Sequence, residues 1–387
     1  YDVTLGNNAV PGETNYGKST AQYQATAGYD LATGLGSVNA ANLVNEWTTA
    51  RSVASSITLN VNPATGLTHG NAVNFTVGVT ATPPATGTPT GDVALVAGFG
   101  GSVSGQTSVG DFTLAGGGSV SSSTNQLSGG TYNLTAHYEG DGTFIPGDSV
   151  PLSITIAPEK SATTLAVLNG GATGPPFTSG TYGTPLDFTS TVSGQSGVGV
   201  PTGSVSFSDN LGTPIAPATL GGNGSAGNTS GVTTFSPGSH SVTATYSGDP
   251  SFQTSNSAAV AFTIAQASTT ATIEPPQNPF ILGNTNLLYV QIQGTGDGAV
   301  PSGAFTLYSG ATQISSGTLY ANYPTPANSY GSANISQLPL GQTTLTAKYP
   351  GDTNYTASTS APFTVNVVRS STRSEEHTSE LQSRHNL

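Results

Sequence analysis

The chain has 387 residues, of which 51 are glycine and 25 proline, while charged residues make up only 7% and the apolar set 35%. So little charge with so many turn formers excludes a helical bundle and fits many short strands joined by turns. Seven basic against 19 acidic residues leave a net charge of −12 and no basic patch for a nucleic-acid backbone, and the absence of cysteine removes disulfides and thiolate chemistry. No run reaches the roughly 18 consecutive apolar residues of a membrane helix, so no membrane span is expected. The chain opens on Tyr1 and holds no methionine, from which its true start, with any secretion signal, is expected upstream.

Residues 1–48 form a first segment with its own pattern. Ser37 to Trp47 reads as a short helix capped by Asn39, with Val38 and Leu43 as a hydrophobic staple. Leu43, Val44 and Trp47 fall on one helical face, which so short a segment cannot bury alone. Two phrases here, Asp2-Val3-Thr4-Leu5-Gly6-Asn7-Asn8 and Ala27-Gly28-Tyr29-Asp30-Leu31-Ala32-Thr33-Gly34-Leu35-Gly36-Ser37, resemble the carboxyl end of the sedolisin family of serine-carboxyl peptidases. The resemblance implies a short remnant of a subtilisin-like α/β domain with a structural calcium site. Carried over by position, Asp2 and Asp30 supply side-chain oxygens, and Val3, Thr26 and Gly28 supply backbone carbonyls, a donor set suited to a hard cation. Thr26 stands where the family often has glycine, which matters little when only its carbonyl is used.

The family's nucleophile sits in a Ser-Gly-Thr-Ser motif with Glu and Asp partners, and this chain carries none of them, so no catalytic residue is assigned. The nearest string, Ser179-Gly180-Thr181, runs on into Tyr182 and belongs to the opening strand of a repeat. Gly12-Glu13-Thr14-Asn15-Tyr16-Gly17-Lys18-Ser19 satisfies the phosphate-loop spacing. Pro11 before it and Gly28 soon after leave neither the strand nor the long helix that such a loop needs.

From residue 56 onward the chain repeats itself three times. Tyr138-Glu139-Gly140-Asp141, Tyr246-Ser247-Gly248-Asp249 and Tyr349-Pro350-Gly351-Asp352 recur at near-constant spacing, each preceded by Pro89-Thr90-Gly91, Pro201-Thr202-Gly203 or Pro301-Ser302-Gly303. Before each Tyr-x-Gly-Asp the residues alternate. Tyr132, Leu134, Ala136 and Tyr138 share one face in the first repeat, Val242, Ala244 and Tyr246 in the second, and Leu345, Ala347 and Tyr349 in the third. That is the period of a half-buried strand, and Gly-Asp directly after it reverses the chain. Units of this length and strand spacing read as two-sheet sandwiches.

The phrases resemble the bacterial immunoglobulin-like repeat family over roughly residues 56–368. The expected architecture is therefore mainly β, three tandem immunoglobulin-like β-sandwiches (56–158, 161–266 and 267–368) after the α/β remnant, with short, semi-rigid junctions. Tyr132 resembles an immunoglobulin tyrosine corner, with Leu134 where antibody domains place cysteine. His240 and Thr343 replace the tyrosine elsewhere, so the corner is not expected to be general.

Asp141, Asp249 and Asp352 are candidate calcium ligands at domain junctions, although aspartate serves turns more often. Tyr320, Tyr323 and Tyr330 suit an aromatic platform for stacking on sugars, although packing at a hairpin end is the commoner use. Arg373 to Ser383, with Glu375, Glu376 and His377, is similar to a sequencing adapter translated in frame, so residues 373–387 are set aside as an artefactual tail. Together these readings give two functional expectations for a secreted or cell-surface protein. The first is a piece of a sedolisin-type endopeptidase, cleaving protein or peptide substrates in its parent and carrying spacer repeats. The second is a surface adhesin or stalk binding cell-wall or extracellular polysaccharide.

Overall fold

The computed structural model describes residues 53–99, 106–274, 278–321 and 328–370. The expected peptidase remnant, with its helix and with Asp2, Val3, Thr26, Gly28 and Asp30, lies outside the described residues, as does the tail. Every regular element among the described residues is a β-strand.

Each repeat folds as two sheets because its strands carry one apolar and one polar face. In the first repeat, Ser55–Val61, Val73–Ala81 and Ser119–Thr124 form one sheet. Leu67–Thr68, Leu152–Ala157, Gly130–Tyr138, Asp92–Phe99 and Gln106–Thr113 form the other. The second repeat uses Ser161–Leu168, Leu186–Gly194 and Ser225–Val232 against Ser179–Thr181, Val260–Ala265, Gly238–Tyr246, Ser204–Asp209 and Ala218–Thr219. The third uses Thr269–Glu274, Asn286–Gly294, Asn328–Ile335 and Tyr320–Ala321 against Phe280–Ile281, Phe363–Val368, Gly341–Tyr349, Ala304–Ser309 and Thr312–Thr318.

The alternating strands lie where the pattern puts them. Tyr132, Leu134, Ala136 and Tyr138 are buried in Gly130–Tyr138, and so are Val242, Ala244, Tyr246, Leu345, Ala347 and Tyr349 in the matching strands. Each large apolar side chain so buried contributes about 1.5–3 kcal/mol relative to exposure. Ser179–Gly180–Thr181 is a short strand running parallel to Thr263–Ala265, as a repeat element should be, and Phe280–Ile281 runs parallel to Val367–Val368. A serine hydroxyl accepts from the backbone amide of the central alanine in all three repeats: Ser149 from Ala136, Ser257 from Ala244 and Ser360 from Ala347.

The described chain divides into two compact units. One comprises residues up to Leu67 together with Asn71–Ile156, and the other Thr68–Gly70 with Ala157 onward. The first has its own core around Val77, Val93, Leu95, Leu134 and Tyr138. In the second, one continuous core runs through the second and third repeats, from Phe188 and Phe235 through Ala267 to Phe305 and Val365.

Candidate functional site

The Gly-Asp turn is built the same way three times. Glycines 140, 248 and 351 take φ of +84°, +78° and +88°, where an L side chain is strained, so the turn needs glycine. The aspartate that follows folds back on its own loop. Asp141 Oδ1 accepts from the amides of Thr143 and Phe144, both at 2.7 Å, while Oδ2 accepts from the amide and hydroxyl of Thr90, both at 2.9 Å. Asp249 takes the amides of Ser251 and Phe252 at 2.8 and 2.9 Å and both groups of Thr202 at 2.8 Å. Asp352 takes Asn354, Tyr355 and both groups of Ser302 between 2.8 and 2.9 Å.

One carboxylate therefore ties the two recurring phrases together, Pro-(Thr/Ser)-Gly to Tyr-x-Gly-Asp. Four donors occupy both oxygens, which leaves no lone pair free for a cation. The three aspartates are therefore turn and tie residues, the commoner of the two uses, and the alternative of junction calcium is not assigned to them. The amides of Phe144, Thr90 and Thr143 hold Asp141 well below the usual carboxylate range. At Asp249 and Asp352 burial works against ionisation, and the hydrogen bonds outweigh it, so both are lowered. The neighbouring Tyr138 hydroxyl donates to the Thr90 carbonyl at 2.8 Å, and burial together with the Asp141 charge pushes its pKa up to about 12.

The tyrosine corner is present in the first repeat, where Tyr132 Oη donates to the Ser128 carbonyl at 2.9 Å. In the second repeat His240 makes the same connection, Nε2 lying 2.7 Å from the Ser236 carbonyl, also four residues upstream. The contact is thus made by a tyrosine in the first repeat and a histidine in the second, while Thr343 makes none among the described residues of the third, so the corner is not general. The histidine ring stacks on Phe262 at 5.3 Å and meets Phe235 edge-on at 5.0 Å. Its Nδ1 lies 3.0 Å from Asp209 Oδ2, and neither side chain is exposed. Burial disfavours the Asp209 charge, but bonds from Thr213 and His240 outweigh it and keep its pKa low. A carbonyl only accepts, so the proton on Nε2 points to Ser236, while Nδ1 meets the Asp209 carboxylate.

Strand register explains why the aspartate is there. Ala97 faces Leu134 and Asp209 faces Val242, which are matching positions two residues after each corner residue. Ser309 holds the same place opposite Leu345 in the third repeat. Tyrosine therefore goes with alanine, histidine with aspartate, and Thr343 with serine. The Thr343 hydroxyl is buried and has no hydrogen-bond partner among the described residues.

Between the second and third repeats the chain is clasped. Tyr182 follows the strand Ser179–Thr181 and is buried, and its ring meets Tyr355 edge-on at 5.5 Å. Ala299 donates its amide to Tyr182 Oη at 3.1 Å, and its carbonyl accepts from Tyr355 Oη at 2.7 Å. Next in the chain, Gly183 lets the backbone of Asp297 approach: its carbonyl accepts from the Asp297 amide at 3.1 Å, and a Cβ there would sit 2.7 Å from that nitrogen. Ala267, fully buried, exchanges backbone bonds with Asn354 and Thr356 at 2.9 Å, and Gln266 Nε2 donates to the Asp352 carbonyl at 2.8 Å.

A related cluster lies within the second unit around Glu159. It accepts from the amide and hydroxyl of Ser196 at 2.7 and 2.8 Å and pairs with His69 Nδ1 at 3.0 Å, while His69 meets Phe252 edge-on at 4.9 Å. His69 and Glu159 are both buried, so this arrangement ties separate segments of the chain together and offers no open site. Among the described residues no group of three or more metal-ligating side chains occurs, and no helix is long and apolar enough to cross a membrane. Of the sugar-platform residues, Tyr320 and Tyr330 face each other across paired strands, and Tyr323 lies outside the described residues.

Comparison with known proteins agrees with this architecture. The family described as bacterial Ig-like domain (group 3) matches residues 59–157, 173–265 and 273–368. No curated protein matches. Among solved structures the chain is similar to the Escherichia coli adhesin FdeC, at 16% identity over 81% of this chain and 96% of that one, with a TM-score of 0.27. It is also similar to invasin, a bacterial integrin-binding protein, at 15% identity over 81% of this chain and 60% of that one, with a TM-score of 0.37. A third likeness, at 13% identity, is to fibronectin(III)-like modules of Clostridium thermocellum CbhA, covering 52% of this chain and 93% of that one with a TM-score of 0.20.

Proposed function

The chain belongs to the bacterial Ig-like domain (group 3) family, and from that premise we propose that its repeats serve as an extracellular spacer and adhesion stalk. The observation that carries this reading is the clasp of Tyr182, Ala299 and Tyr355. Two sandwiches joined by a shared core and directional hydrogen bonds hold a fixed mutual pose, which a spacer requires and a flexible tether lacks.

The test uses the absence of cysteine. Ser206→Cys and Thr364→Cys, both at exposed strand positions, place one spin label on each of the two repeats. The distance distribution between them should be narrow, and Tyr182→Ala should broaden it. A broad distribution in the parent chain would remove the spacer reading.

A second reading keeps the repeats as the appendage of a secreted sedolisin-type peptidase. It is supported by the wording of residues 2–8 and 27–37. Calcium held by Asp2, Val3, Thr26, Gly28 and Asp30 belongs to it. On this reading calcium raises the melting temperature of the protein containing the complete peptidase domain, and Asp30→Ala abolishes the rise. An unchanged melting temperature in both proteins removes these residues as ligands.

A further inference from the structure

The outer face of the smaller sheet can be compared position by position across the repeats, because the first strand pairs with the second in the same register each time. Ser55 faces Ala81, Ser161 faces Gly194, and Thr269 faces Gly294. Counting back from those ends, Tyr289 occupies the place of Thr76 and Thr189. Leu287 occupies that of Asn74, and Gln291 that of Gly78 and Thr191. On the next strand Tyr330, opposite Gln291, holds the place of Ser119 and Ser225. The first two repeats thus present small, mostly hydroxylated residues where the third presents large rings.

The rings form a strip. Tyr289 lies diagonally across from Tyr330, and Tyr330 lies directly opposite Tyr320, so the three cross three adjacent strands on one face. Tyr320 is 67% exposed and Tyr289 39%. Gln291 donates to Tyr330 Oη at 2.6 Å, which fixes that ring in the middle of the strip. Around the rings stand Gln293, Ser332 and Asn334, all exposed. Glu274, opposite Tyr289, is the charged residue of the face among the described residues, and no cation stands with it.

We propose that this face binds uncharged polysaccharide, with Tyr289, Tyr330 and Tyr320 stacking on successive sugar rings and the amides and hydroxyls between them meeting sugar hydroxyls. Flat rings separated by polar side chains match the alternation of C–H faces and hydroxyls on a sugar chain. A protein partner would favour a centre more apolar than Gln291, Ser332 and Asn334 leave between these rings. The absence of a cation argues against uronate or sulfated polymers, and the lone carboxylate would repel them. The proposal does not depend on the spacer reading.

The test is affinity electrophoresis of the full chain in gels containing xyloglucan, β-(1,3)(1,4)-glucan or galactomannan, with polygalacturonate as the anionic control. At least one neutral polymer should retard the protein. Tyr289→Thr, which installs the residue of the other repeats, and Tyr320→Ala should each weaken binding at least tenfold with an unchanged melting temperature. Retardation by none of the neutral polymers overturns the proposal. So does stronger retardation by polygalacturonate, or wild-type binding in both variants. Concentration-dependent self-association that the same variants abolish also overturns it, by assigning the face to a second copy of the chain.

Discussion

Asp249→Ala is expected to destabilise the second repeat by about 3–5 kcal/mol, read as a lower denaturant midpoint for its transition in the full chain. Four donors converge on this carboxylate, and each hydrogen bond to a charged group contributes about 1.5–3 kcal/mol. The contributions do not add, because freed amides at a half-exposed loop regain water. Asp249→Asn keeps one acceptor oxygen and should fall between alanine and the parent.

The pH dependence follows from the direction of the shift. The folded carboxylate ionises below its ordinary value, while the unfolded one titrates at about 3.9. The stabilisation is therefore complete at neutral pH, begins to fade as pH drops through about 4, and is lost as pH falls through the folded value. Parent and Asp249→Asn should differ at pH 7 and converge in strong acid. Equal midpoints at pH 7 would show that the loop holds without the carboxylate.

His240→Tyr alone should cost about 3–5 kcal/mol, because it leaves the low-pKa Asp209 carboxylate buried without the ring nitrogen that meets it. Asp209→Ala alone should cost less, about 1–3 kcal/mol, since it removes the carboxylate itself and the imidazole keeps its bond to the Ser236 carbonyl. The double variant rebuilds the first repeat's combination of Tyr132 with Ala97 opposite Leu134 and should recover about 2–3 kcal/mol relative to the sum of the singles. Strict additivity in equilibrium unfolding would mean that the two positions are independent.

The framework was legible because it depends on local pattern. Alternation along Tyr132 to Tyr138 and its two counterparts specified which faces are buried, and Gly-Asp specified the reversal. The tie from Asp249 to Thr202 was hidden, since the partners stand 47 residues apart and a turn aspartate satisfies the local pattern by itself. His240 is invisible to a pattern that defines the corner by a phenol. Any ring with a polar hydrogen at that reach bonds the carbonyl four residues back. Its coupling to Asp209 exists only through strand register. Tyr289 gives no signal in the sequence because an isolated tyrosine in a strand is ordinary, and its exposure emerges only from the sheet it joins. Residues 1–48, where the peptidase wording sits, fall outside the described structure.

The parallel pairs Ser179–Thr181 with Thr263–Ala265, and Phe280–Ile281 with Val367–Val368, join the entering and leaving segments of their repeats. When such a repeat is pulled by its two ends, these neighbouring strands are dragged lengthwise past each other in opposite directions. Their bridging hydrogen bonds are then strained together, instead of opening one after another as in a peeled hairpin. A chain held at its two ends would thus resist sudden tension at the mouths of its second and third sandwiches, before their cores are disturbed.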